Sequence, residues 1–269
     1  MSVSRSEGVY LLEASHKENF TNDGHALVRG LASTDEMAKY EPAIRKACLA
    51  HSTEKLDIEE RDTYGKAFLQ VTNLWTRDGS VREFVFNTRF AQVAAQLLGV
   101  DRVRLYHDQA LFKEPGGGPT PWHQDQFYWP LDTDKTITMW MPLVDISVEM
   151  GVLKFASGSH KAGPAALIGI SDESDLFYRR YLEDHGFAIT SPGAMRAGDA
   201  TFHRGWTIHS AGPNQTTDKM REVMTVIYFA DDARVTKPQN DFQKADLAAF
   251  LDSRSAGELA DGPLNPILS

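Results

Sequence analysis

Only one cysteine, Cys48, stands among the 269 residues, so no disulfide can form within the chain and stability must come from packing. That usage fits a reducing compartment. Basic clusters are missing too: the formal net charge is −9, and Lys and Arg never form a run. Phosphate backbones require such clusters, so no nucleic-acid partner is expected, whereas a single local Arg suffices for a small anion. No stretch approaches the roughly 18 consecutive apolar residues of a membrane span. The opening MSVSRSEGVYLLEASHKENF carries early acids and no apolar stretch of signal-peptide length. A cytoplasmic protein with no membrane partner is therefore expected. Internal repeats, low-complexity tracts and linkers rich in Pro, Gly or Ser are also absent. What is present is a chain of 42% hydrophobic residues. It has enough for a sizeable core and is expected to form a single domain over residues 1–269, since all-β barrels and sandwiches run to about 200–250 residues as one unit.

The first third, about residues 1–100, reads mainly helical. Ser33, Thr34 and Asp35 offer a helix cap, and Pro42 suits the first turn of a helix over Ala43–Leu49. The clearest helix follows Asn87 and Thr88: Phe90, Val93, Ala94, Leu97 and Leu98 recur at helical spacing, and Gly99 can close the end. From Arg102 the period becomes two, with Val103, Leu105 and His107 alternating with Arg102, Arg104 and Tyr106, and the run continuing to Lys113. The Pro115–Pro119 stretch, with three glycines, must be loop. Further strands are expected over Thr136–Ile146, Gly151–Ala156, Ala200–His203, Trp206–Ser210 and Val223–Ala230. The strand-rich centre, about 101–231, predicts a sandwich or barrel. Between Pro164 and Pro192 lies a segment long enough to be an insertion or lid, and the tail, 232–269, holds one expected helix, Asp246–Arg254.

Chemistry is concentrated in Trp122-His123-Gln124-Asp125. On a strand, His123 and Asp125 point to the same face and can reach one metal ion. His209, on a late strand, supplies a second imidazole. Two imidazoles and one carboxylate leave open positions that suit Fe(II), a bidentate co-substrate and O2. A His-x-Asp pair alone arises often by chance; what raises this one is Arg221, at the start of the strand after His209, whose guanidinium can pair bidentately with the far carboxylate of 2-oxoglutarate.

These stretches resemble the phytanoyl-CoA dioxygenase family of Fe(II)- and 2-oxoglutarate-dependent oxygenases. The resemblance is carried, in the family's order, by Gln109–Pro115, Trp122–Asp125, Met139–Leu143, Gly151–Leu153 with Gly158–Lys161, and His209–Asn214 with Arg221. It covers roughly residues 100 to 230. It implies a mainly β fold with packed helices, a double-stranded β-helix (a jelly-roll, cupin-like barrel). It also implies His123, Asp125 and His209 as iron ligands, Arg221 as the anchor of 2-oxoglutarate, and Gln109, Gln124 and Trp140 as lining of the co-substrate pocket. Ala211 departs from the pattern, since relatives often carry a Ser there, and the loop to Arg221 is one residue longer than in some of them. Related halogenases replace the carboxylate ligand with a small residue, so Asp125 argues against halogenation. Hydroxylation of a small-molecule substrate, with release of succinate and CO2, is the expected outcome; desaturation, cyclisation and epimerisation are its alternatives.

Among the other candidates, His203 is the rival of His209 and reads as a packed neighbour. Phe127, Tyr128 and Trp129, directly after Asp125, read either as core or as a wall beside the substrate, with Tyr128 the preferred contact and Phe127 next to it. Tyr178, Arg179, Arg180 and Tyr181 read as a solvated helix face or a lid. Lys113 could help hold an anionic group but reads rather as a solvated strand end; His107 could face the pocket but reads rather as a core or surface residue, and His16, His25, His51 and His185 read as surface residues. Two readings from other classes remain: a non-catalytic cupin-like binding protein, and a zinc hydrolase or isomerase on the same ligands. Zinc hydrolysis needs no dicarboxylate anchor, so Arg221 speaks for the oxygenase.

Overall fold

The computed structural model describes residues 10–269 apart from Lys55 and Leu167. The first residues of the stretch read for a leader, 1–9, lie outside those described. In chain order the helices and strands are α1 (Ala14–Asp23), β1 (His25–Val28), α2 (Thr34–His51), α3 (Thr63–Ala67), β2 (Leu69–Thr72), α4 (Gly79–Val85), α5 (Thr88–Leu98), β3 (Val103–Lys113), β4 (Thr120–His123), β5 (Thr136–Pro142), β6 (Leu153–Ala156), α6 (Asp172–His185), β7 (Ile189–Thr190), β8 (Ala200–Arg204), β9 (His209–Ala211), β10 (Arg221–Ala230) and α7 (Asp241–Phe250). The strands form a six-stranded sheet, β1-β8-β5-β10-β3-β2, and a four-stranded sheet, β4-β9-β6-β7. Every pairing is antiparallel.

The helices of the first third cover one face of the large sheet. Helix α5 forms where its sequence starts and stops cleanly: Asn87 Oδ1 accepts from Arg89 N at 3.1 Å, and Gly99 closes the end at φ 68°. Its apolar stripe packs against β3, β5 and β10. Phe90, 1% exposed, sits edge-on to Phe84 in that core. Phe90→Ala is expected to destabilise the protein by about 3–5 kcal/mol, seen as a lower denaturant midpoint. Co-substrate binding in the folded fraction should be unchanged, because this face of the sheet is turned away from the cavity described below.

Helix α2 opens with a capping box, Ser33 Oγ accepting from Glu36 N and Glu36 Oε2 accepting from Ser33 N. It then runs unbroken through Pro42, so the proline does not begin a second helix as the sequence suggested. The first third is also less purely helical than expected. Its short runs β1 and β2 supply both edges of the large sheet. At the other end, Leu268 N donates to Val103 O, so the tail returns to the start of β3.

The expected strands shrink where the chemistry of the backbone ends them. Pro142 closes β5, and beyond it only Ile146 bridges, to Met195. Gly151, at φ 84°, precedes β6 and does not belong to it. Trp206 lies in a turn before β9. On β3 the alternation itself breaks. Leu105 pairs with Tyr228 but His107 pairs with Ile227, which leaves Tyr106 as an extra, unpaired residue. Val103 and Leu105 face the helices, yet beyond the bulge Ala110 and Phe112 take over that face, and His107, Gln109 and Leu111 turn the other way. His107 therefore does not share a face with Val103 and Leu105. The expected tail helix begins earlier than read, at Asp241, where Asn240 Oδ1 accepts from Gln243 N at 2.8 Å.

Candidate active site

Strands β4 and β9 lie side by side with His123 directly opposite His209, and the two rings stand 4.1 Å apart. His123 Nδ1 lies 2.8 Å from Pro121 O, and His209 Nδ1 lies 3.0 Å from Thr207 O. A carbonyl oxygen only accepts, so each Nδ1 carries the proton and donates, and each Nε2 presents a lone pair. Asp125 Oδ1 faces both lone pairs, 3.4 Å from His123 Nε2 and 3.6 Å from His209 Nε2. Its other oxygen, Oδ2, accepts from Thr138 Oγ1 at 2.9 Å and lies 3.2 Å from His203 Nε2. Thr138 and His203 are cross-strand partners on β5 and β8. Asp125 thus joins the paired histidines of the small sheet to a matched Thr–His pair of the large one.

Burial alone would raise the Asp125 carboxyl. The imidazoles of His209, His123 and His203 around it instead hold it well below the usual carboxylate range. Burial and the neighbouring imidazoles push His209 well below the usual histidine value. One carboxylate oxygen and two imidazole nitrogens, all within 4.8 Å of one another, are a donor set for a divalent cation. The local geometry differs in one respect from the sequence reading. β4 ends at His123, and Asp125 opens a short helical turn, Asp125–Tyr128. Gln124 between them stays extended (φ −124°, ψ 125°), and this preserves the common direction of its two neighbours.

The same extension turns Gln124 the other way. Its Nε2 donates to Gly163 O and Trp206 O, and its Oε1 accepts from Ala165 N and Tyr178 Oη. The expectation that Gln124 lines the co-substrate pocket is therefore corrected: the cavity is lined by Gln109 and Trp140 but not by Gln124. Tyr178 is fully buried on α6 through this contact, so it is neither a lid residue nor part of a solvated face.

A cavity of about 520 Å³ runs between the two sheets from Arg221, past the histidines, to the C-terminal helix α7. Arg221 is 1% exposed. One nitrogen donates to Gly151 O at 2.6 Å, and the guanidinium lies over the Trp140 ring at 5.4 Å. Its Nε is buried with no hydrogen-bond partner among the described residues. Burial draws its pKa down to about 9. Lys113, the cross-strand partner of Arg221, is fully buried instead of solvated; burial, with Arg221 beside it, lowers it to about 6, and it donates to Gly118 O. A buried guanidinium with an unused N–H and no carboxylate against it is a receptor for an anion. Ala211 and Ser210 complete this end of the cavity with Gln109, Leu111 and Thr225.

At the opposite end stand Tyr128 and Trp129, with Phe242, Asp246 and Phe250 of α7. Phe127 is not on the cavity wall. It packs behind, against Tyr128 and Phe242. Sequence reasoning weighed His203 without finding its contact to Asp125, and it missed Thr138 and the place of α7 on the cavity. Thr138 was discoverable, since it shares a strand face with Trp140. Nothing in the sequence brings residues 242–250 to the cavity.

The phytanoyl-CoA dioxygenase family profile matches residues 20–223. The chain belongs to this family. A probable α-ketoglutarate-dependent hypophosphite dioxygenase of Stutzerimonas stutzeri is 24% identical, over 82% of this chain and 79% of that protein. Among solved structures, the epimerase SnoN of nogalamycin biosynthesis, in complex with Fe3+, α-ketoglutarate and nogalamycin RO, superposes with a TM-score of 0.78 at 27% identity, over 95% of this chain and 98% of that one. The carbocyclase SnoK of the same biosynthesis gives a TM-score of 0.78 at 23% identity, over 96% and 97% of the two chains. The jelly-roll fold expected from the sequence is thus the one observed, and the enzyme's chemistry is that of an iron- and 2-oxoglutarate-dependent dioxygenase. The His–Asp–His donor set and the unmatched buried guanidinium fit those two groups.

Proposed function

We propose that the enzyme binds Fe(II) through His123, Asp125 and His209, seats 2-oxoglutarate with its distal carboxylate on Arg221, and hydroxylates a small molecule held at the α7 end of the cavity. The observation that carries this reading is the spatial order within one cavity: an orphaned buried guanidinium, then the three convergent donors, then an aromatic chamber. Iron, 2-oxoglutarate and O2 together supply the oxidising power, and succinate and CO2 leave as the substrate gains a hydroxyl group. The protein's residues do the rest. The carbonyls of Pro121 and Thr207 fix the imidazole tautomers. Thr138 and His203 hold the outer oxygen of Asp125, so that Oδ1 stays turned to the metal position. Trp140 supports the guanidinium from one face, and Gln109, whose Oε1 accepts from Gln70 Nε2 at 2.5 Å, lines the co-substrate chamber. Gln124 acts one layer out, tying the ligand segment to α6. The Ser that relatives often carry is Ala211 here, so the carboxylate receives its charge-assisted bonds from Arg221 with less help from hydroxyls.

Epimerisation is a second reading, favoured by the 27% identity to SnoN across nearly the whole of both chains. Both outcomes share the same cofactors. The test is anaerobic titration of the metal-free enzyme with Fe(II) and then 2-oxoglutarate. A weak visible charge-transfer absorption is expected only when both are present. Its absence from folded, metal-loaded protein would overturn the proposal in favour of a zinc enzyme or a binding protein. The product mass from candidate substrates that stimulate succinate formation would then separate hydroxylation, which adds an oxygen atom to the product, from epimerisation, which leaves its mass unchanged.

A further inference from the structure

The α7 end of the cavity carries its own chemistry. Asp246 reaches in from α7, and its Oδ2 accepts from Tyr106 Oη at 3.0 Å. Among the described residues it has no other hydrogen-bond or ion-pair partner. Around it stand aromatic rings: Tyr106 packs against Trp129 and Phe250 at 5.5 and 5.8 Å, and Tyr128 against Phe242 at 5.4 Å. The one imidazole on this side, His107, stacks on Phe250 at 4.1 Å, and burial lowers it to about 4, so it is neutral. Among the described residues no lysine lines the cavity, and the one arginine that does, Arg221, lies at the co-substrate end. The substrate chamber therefore offers one carboxylate, several aromatic faces and no cationic side chain among the described residues. A ring face attracts positive charge as a carboxylate does, and both act most strongly where water is excluded. Helix α7 is fixed over the metal-side turn by Gln243 Nε2, which donates to Phe127 O at 3.0 Å, so the carboxylate is held in place.

We propose that the substrate carries a protonated amine on a flat, mainly apolar body, and that Asp246 binds the ammonium group while the surrounding rings hold the body. This specifies the substrate of the reaction proposed above, and rests on it only for the statement that what binds here is oxidised. Acyl thioesters of coenzyme A and small oxyanions are disfavoured, because their charge would meet Asp246 with no cation to offset it. Helix α7 lies beyond the residues that match the family profile, 20–223.

The test compares tryptamine with its neutral isostere tryptophol and the anion indolepropionate, by calorimetry on anaerobic enzyme loaded with Fe(II) and 2-oxoglutarate. At pH ~8 the amine is protonated, and Asp246, which burial pushes up to about 7, is mostly ionised. Wild-type enzyme is expected to bind tryptamine at least about tenfold more tightly than tryptophol, with indolepropionate weakest. Asp246→Asn should bring the amine-to-alcohol ratio to near one while leaving the iron–2-oxoglutarate absorption unchanged. Tyr106→Phe, which keeps the carboxylate and removes its tether, should retain a preference for the amine, and so separates loss of charge from loosening of α7. A wild-type ratio near one, or a ratio that survives Asp246→Asn, would overturn the proposal. If the absorption never forms in the wild type, the cofactor reading falls, and the affinity ratio on the same protein still decides whether Asp246 selects amines.

Discussion

His209→Ala is expected to abolish the iron–2-oxoglutarate absorption and all substrate-dependent succinate formation, whereas His203→Ala should keep the absorption and lose about 10–100-fold in iron affinity. The two histidines are both buried, and their rings stand 4.3 Å apart, so proximity alone does not separate them. Their partners do. His209 spends Nδ1 on Thr207 O and turns Nε2 towards Asp125 Oδ1, the oxygen that His123 also faces. His203 Nε2 lies against the opposite oxygen, Oδ2, alongside Thr138. Removing His209 deletes a donor atom; removing His203 frees the carboxylate to rotate. Iron affinity measured by anaerobic competition with a chelator, together with the spectrum, tells them apart. The reverse result would assign the third ligand to His203.

Arg221→Ala is expected to raise the half-saturating 2-oxoglutarate concentration by about 30-fold or more. Breaking a buried, hydrogen-bonded charge pair costs about 2–5 kcal/mol, and each 1.4 kcal/mol is about tenfold in affinity. The effect on the free protein should be small or of opposite sign. In the absence of an anion the guanidinium is desolvated with Nε unmatched, so alanine removes an unfavourable burial. Thermal unfolding provides the check: saturating 2-oxoglutarate should raise the Tm of the wild type and leave that of Arg221→Ala unmoved. Arg221→Lys should fall between the two, because an ammonium keeps the charge but cannot form the two-pronged contact. An unchanged half-saturation in Arg221→Ala would place the dicarboxylate elsewhere.

The parts of this enzyme that were legible in its sequence are those fixed by local rules. Helix α5 declares itself by its stripe, its Asn87 cap and its closing Gly99. The long strands β3 and β10 declare themselves by composition, and the His123–Asp125 pair by its spacing. What failed depended on single backbone events or on distant partners. The unpaired Tyr106 reverses the alternation of β3, so His107 faces the cavity although its spacing from Leu105 said otherwise. The end of β4 at His123 leaves Gln124 extended but facing away, where it is consumed by α6 and neighbouring carbonyls. The edge strands β1 and β2 are too short to show a period, and they gain their strand character from the neighbours they join. The contribution of α7 depends on the tail folding back over the turn after Asp125, a tertiary contact with no local signature.

The unpaired residue on β3 also has a consequence for the substrate end of the cavity. Hydrogen bonding between β3 and β10 skips Tyr106, so the ladder carries this residue without pairing it. That residue holds Asp246 through its hydroxyl, and with it the helix that walls the substrate chamber. The proposed metal and co-substrate residues sit on β4, β9, β10 and the turn after β4, while the proposed receptor for the substrate depends on this unpaired residue and on α7. Loss of Tyr106 would thus be felt first at the α7 end of the cavity, through Asp246, and only indirectly at the His–Asp–His cluster.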